Sequence, residues 1–212
     1  MTASEVENIV MSDNIKILGI DPGINFTGWS IGLYNPSNNS TRVTIYGTIR
    51  AKDLASKEMK QDSITYGNVV SLHLYEREFR TLLCKYKPDY VACEDAFMHK
   101  FPNAFVSLKL CIATIQRLLF TEYHKLLYLI APRVAKQVVF GNGSASKEAV
   151  QEGLLKLPDL TIDSTKQRPI KNIVEHEADS IAIMYSFIKT VLPDVLMQSK
   201  MQNEKDIPKL PK

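Results

Sequence analysis

The sequence has few of the features that mark secreted, membrane or nucleotide-binding proteins. It holds three cysteines, Cys84, Cys93 and Cys111, which form no CxxC pair and all sit inside apolar patterns. That usage excludes a disulfide framework or a zinc ribbon and predicts reduced core thiols in an intracellular compartment. No apolar run approaches the ~20 residues of a bilayer span, so no membrane partner is expected. Residues 1–14 lack the basic and apolar regions of a signal peptide. Nine glycines are spread over 212 residues without a phosphate-cradling cluster, so no nucleotide cofactor is expected either. We find no internal repeat and no sign of a second domain.

What remains is ordinary for one soluble α/β domain: 45% hydrophobic and 23% charged residues. The folded unit is placed at residues 15–192, between a flexible extension at 1–14 and a polar tail at 193–212 that is expected to be disordered. The net charge of +3 is unevenly spread. From Lys100 to Lys147 there are seven Lys or Arg residues against the single acid Glu122, a local +6 that leaves −3 for the rest. Such a run is either a solvated helix face or a surface for a polyanion.

The pattern predicts a mixed five-stranded sheet flanked by helices. Ile15–Ile20 and Trp29–Leu33 read as strands, and the turn 35–40 leads to a third at 42–50. These three form an antiparallel meander. Apolar residues at helical spacing run from about Ser63 to Lys87, where Pro88 ends them. A short buried strand, Asp89–Cys93, follows. A long helix is predicted over 103–125, with an apolar face wider than one sheet needs and an excess able to pack on a second subunit. Another strand covers 127–131, and Pro132 opens a short helix that Gly141-Asn142-Gly143 closes. Ser144 and Ser146 are candidate N-caps of the next helix. Residues 158–173 read as a loop, and a last helix runs from Glu175 to Leu192.

Two strands end on acids: Asp21 after Ile20, and Glu94 after Cys93. The final helix opens Glu175-His176-Glu177-Ala178-Asp179, which puts His176 and Asp179 three apart on one face. Acids in a first turn are also favoured by the helix dipole, which suffices for Glu175 and Glu177. If Asp21, Glu94, His176 and Asp179 converge, they offer hard oxygens and one imidazole, a set suited to Mg²⁺ or Mn²⁺. Two such ions would serve phosphodiester hydrolysis, and Lys136 and Lys147 would hold phosphates beside them.

Four stretches carry a resemblance to a known family: Leu18–Gly28 (LGIDPGINFTG), Pro88–Phe97 (PDYVACEDAF), Arg133–Lys147 (RVAKQVVFGNGSASK) and His176–Ala182 (HEADSIA). In this order the chain resembles the RuvC-type Holliday junction resolvases of the RNase H-like, retroviral-integrase superfamily. The resemblance implies an RNase H-like fold and a homodimer that resolves four-way junctions by paired, metal-dependent cuts. It implies Asp21, Glu94, His176 and Asp179 as catalytic and metal-binding residues, with two Mg²⁺ or Mn²⁺ ions per site. His176 falls where family members carry Asp or His. Phe97, Lys100, Arg133, Lys136 and Lys147 fall in the DNA-contacting positions, Phe97 as an aromatic that stacks on a base. Asp95 stands where a neutral residue is common. The resemblance places the protein in a bacterial or phage-infected cytoplasm or an organelle matrix. Three other readings stay open: a nuclease of the same fold cutting other branched or flap DNA or RNA–DNA hybrids, an actin-like or sugar-kinase ATPase, and a junction-binding module without activity.

Overall fold

The turn after the second strand shows how local chemistry sets the sheet. Asn35 and Asn38 accept the backbone N–H groups of Ser37 and Ser40 at 2.9 and 3.1 Å, and Asn39 takes the left-handed conformation at φ 54°. This closes the hairpin between β2 (Phe26–Asn35) and β3 (Ser40–Arg50), and β1 (Ile15–Asp21) pairs antiparallel on the other edge of β2. These coordinates are a computed structural model describing residues 14–54, 69–97, 102–143, 147–163 and 173–205. Beyond the meander come β4 (Tyr90–Glu94), β5 (Leu127–Ile130) and β6 (Leu160–Ile162). The sheet order is β5-β4-β1-β2-β3-β6, with β4 parallel to β1, β5 parallel to β4 and β6 parallel to β3.

The helices are α1 (Ala51–Leu54), α2 (Val69–Tyr86), α3 (Pro102–Leu118, continued by a π-turn Leu119–Tyr123), α4 (Pro132–Phe140), α5 (Lys147–Leu154), α6 (Glu175–Thr190) and α7 (Leu192–Lys205). Strand alternation divides the core in two. Leu18, Ile20, Val91 and Cys93 face α2 and α3, while Ile17, Ala92 and Ile130 face α4 and α6. α6 is buried nearly all round and lies across β1 and β2. Its approach requires glycine beneath it: a Cβ on Gly19 would stand 2.3 Å from the Ser180 carbonyl oxygen, and one on Gly28 only 1.8 Å from that of His176.

Several expectations are corrected. The sheet has six strands, because Leu160–Ile162 adds to the edge of β3 within a stretch expected to be loop. The polar tail expected to be disordered from residue 193 instead forms α7 as far as Lys205. Pro193 falls in the first turn of that helix, where its missing N–H costs nothing, and Leu192 and Leu196 pack on the core. Pro102–Tyr123 spans 22 residues and is apolar enough by composition to cross a bilayer, against the expectation that no such run exists. Its Cys111, Ile112, Ile115, Leu118 and Leu119 are buried with the sheet residues Leu18 and Ile20, while Val106, Leu110 and Phe120 on its other face are exposed. The expected helix start near Ser63 and the caps at Ser144 and Ser146 lie outside the described residues.

Candidate active site

Register and alternation bring the strand-end acids together. Ile20 pairs with Cys93 across parallel β1 and β4, so Asp21 and Glu94 follow as neighbours. Asp21 shares a face with Gly19 and Ile17, and Glu94 with Ala92, so both point to the α6 side. The start of α6 is held over them by Glu177, whose carboxylate reaches back to accept the Val174 N–H at 3.2 Å and also accepts from Thr48 Oγ1 at 3.3 Å. Fully buried Glu177 is therefore a capping residue, as its first-turn position suggests. His176 and Asp179 then face the strand ends. His176 Nδ1 donates to Asp21 Oδ2 at 2.7 Å.

All four predicted groups line one cavity of about 310 Å³, with Lys136 and Phe97 on its wall. Burial raises the Asp21 carboxyl above its ordinary value, against the lowering effect of His176. Glu94 is pushed up to about 8, first by burial and then by the charges of Asp21 and Asp179, while Lys136 opposes the shift. The hydrogen bond to Asp21 is the first reason that His176 holds its proton above the ordinary imidazole range. Crowded carboxyls of this kind share protons unless positive charge enters.

The remaining predicted contacts divide. Phe97 is 65% exposed at the cavity rim. Arg133 is exposed one turn before Lys136 on α4, its side chain packed against Gly143, and is not part of the cavity wall. Lys147 is the first residue of α5, and Lys100 lies outside the described residues. The basic run is not a single stripe. Lys109 binds Asp95 at 2.8 Å, Arg117 pairs with Glu76, and Lys125 donates to the Asp89 carbonyl at 3.1 Å. Asp95 thereby ties the loop after β4 to α3.

Three further groups stand on the cavity wall or beside it. Glu175 also lines the cavity. The Phe26 ring stacks on the His176 imidazole, with centroids 6.1 Å apart and planes 10° apart, and the Arg50 guanidinium carbon lies 5.9 Å from the centre of that ring. Phe26 pairs with Arg50 across β2 and β3 and shares a face with Gly28, so alternation from Gly28 is the signal that would have found it.

Residues 17–187 match the family described as "Crossover junction endodeoxyribonuclease RuvC". This chain belongs to the RuvC family. A RuvC of Mesorhizobium japonicum is 30% identical over 175 residues, covering 82% of this chain and 89% of that protein. Among solved structures, Thermus thermophilus RuvC in complex with a Holliday junction substrate superposes with TM-score 0.59 at 20% identity, covering 81% of this chain and 92% of that one. The yeast mitochondrial Holliday junction resolvase gives 0.61 at 13% identity over 87% of this chain and 82% of that one. The fold is thus the RNase H-like resolvase fold, and as a RuvC the protein is a crossover junction endodeoxyribonuclease, a nuclease of DNA recombination and repair.

Family membership implies dependence on a divalent metal. Among the described residues no three His, Cys, Asp or Glu groups are already gathered closely enough to hold one. The donor set nevertheless fits a hard cation: the buried Asp21 and half-buried Glu94 carboxyls, both with raised proton affinity, and a helical acid share one cavity with one imidazole. His176 engages an Asp21 oxygen that such a cation would use.

Proposed function

We propose that this RuvC chain cuts four-way DNA junctions with Asp21, Glu94, His176 and Asp179 as its catalytic and metal-binding residues, working as a homodimer with two Mg²⁺ or Mn²⁺ ions at each site. The observation that carries this reading is the convergence of both strand-end acids with the first turns of α6 around one cavity that also holds Lys136. When bound, the divalent ions supply the charge and Lewis acidity that phosphodiester hydrolysis needs. Asp21 and Glu94 stand on rigid strands, so they present their oxygens with little reorganisation. His176 keeps Nδ1–H on Asp21, which fixes the ring and leaves Nε2 to hold or accept a proton. Lys136 places positive charge beside Glu94 and draws a phosphate towards the carboxyls. Phe97 offers an exposed ring to an unpaired base, a contact that contributes about 1–3 kcal/mol. Lys100, Arg133 and Lys147 complete the proposed DNA contacts.

Dimerisation is supported by the outer face of α3 and its continuation, where Val106, Leu110 and Phe120 are exposed. Two sites related by a two-fold axis would cut opposite strands of a junction symmetrically. The bacterial relatives support a cytoplasmic location. The test is cleavage of labelled four-way, flap and RNA–DNA hybrid substrates with Mg²⁺. Symmetric nicks confined to the four-way junction are expected. Equal cutting of flap or hybrid substrates would replace junction selectivity with the broader nuclease reading.

A further inference from the structure

β2 begins beside the reacting groups, and its first residues form a platform for His176. At Gly28 the strand backbone meets the His176 carbonyl so closely that a Cβ would stand 1.8 Å from its oxygen. Two residues earlier and on the same face, the ring of Phe26 lies nearly parallel to the imidazole, 10° between planes and 6.1 Å between centroids. The third support is the 2.7 Å hydrogen bond from His176 Nδ1 to Asp21 Oδ2. The imidazole is therefore fixed through its backbone, one ring edge and one ring face. Its side chain is 39% exposed, so neighbouring core atoms do little to restrain it. Arg50, the cross-strand partner of Phe26, rests its guanidinium over the same aromatic ring and steadies it in turn.

We infer that Phe26 is a positioning residue for junction cleavage, acting through its stack on the His176 ring. It is not on the cavity wall and is assigned no contact with the scissile phosphate or a metal. Its role is to remove the rotation about the side-chain torsions that would swing the imidazole away from Asp21. The inference rests on the assignment of His176 to the reacting centre, so the experiment separates the two.

Phe26→Ala, Phe26→Leu, Phe26→Tyr and His176→Ala are compared on a labelled four-way junction. Phe26→Ala and Phe26→Leu should lower kcat about 3- to 10-fold with KM unchanged within about twofold. Phe26→Tyr, which restores an aromatic face, should recover the rate. In the metal-free protein the Nδ1–H proton resonance of His176, assigned by its loss in His176→Asn, should persist in Phe26→Tyr and broaden or vanish in Phe26→Ala. Wild-type kcat and an intact resonance in Phe26→Ala would overturn the inference, as would a raised KM at unchanged kcat, which marks a DNA contact instead. If His176→Ala itself cuts at the wild-type rate, the site assignment falls and the cleavage role inferred for Phe26 falls with it. If His176→Ala is inactive while Phe26→Ala is fully active, only the present inference falls.

Discussion

Replacing Glu94 with Gln separates charge from shape at the centre of the cavity. Glu94 is raised from an ordinary 4.5 to about 8 by burial and by Asp21 and Asp179. Fully ionised above pH 8, a group so displaced would cost about 5 kcal/mol of stability. Asp21 shares the same repulsion, so we assign about 2–3 kcal/mol to Glu94 itself. The native carboxyl holds its proton more tightly than the unfolded chain does. Its contribution therefore declines as pH rises from about 4.5 to about 8 and is level outside that window. Asp21, also raised, slopes the same way. Gln keeps the shape and abolishes the titration. In EDTA, Glu94→Gln should melt about 5–10 °C above wild type at pH 8, and within about 2 °C of it near pH 4.5. Added Mg²⁺ should raise the wild-type Tm and leave the variant almost unchanged. Calorimetry or thermal fluorescence across pH reads all of this. A variant that melts at or below wild type at pH 8 without metal would refute the crowding of carboxyls in this cavity.

Lys136→Ala should weaken junction binding evenly across sequences and reduce the salt slope of log K by about 1, measured by fluorescence anisotropy between low and moderate salt. Gly28→Ala should cost about 1–3 kcal/mol in denaturant melts, because its methyl group would fall 1.8 Å from the His176 carbonyl oxygen. Cleavage should drop further than stability there, since the first turn of α6 must lift from the strand; wild-type cutting by a folded variant would contradict that geometry.

Much of this fold can be read from residue patterns, because strand alternation and helix spacing are local. Ile15–Ile20 ending on Asp21 and Val91–Cys93 ending on Glu94 are short apolar runs with an acid at the tip, and their shared face follows from parity. The pairing of His176 with Asp179 follows from helical spacing. The edge strand Leu160–Ile162 did not stand out, because three residues between Pro158 and Asp163 carry too little alternation and depend on the neighbouring β3. α7 was missed because its composition is polar and, among the described residues, Leu192 and Leu196 alone tie it to the core. The basic run from Lys100 to Lys147 overstated the cationic surface, since charge counting cannot see that Lys109 and Arg117 are occupied by Asp95 and Glu76. Phe26 was missed for another reason: its partner lies 150 residues away, on a helix whose approach depends on Gly28.

Asp21 neighbours Glu94, accepts from His176, shares its cavity with Asp179 and is only 7% exposed. The most direct measurement is cleavage and binding of a labelled four-way junction by Asp21→Asn in Mg²⁺. Cleavage should fall more than about 100-fold, with junction affinity kept or increased because a metal ligand and a negative charge leave together. Cutting at the wild-type rate by Asp21→Asn would contradict that role for Asp21.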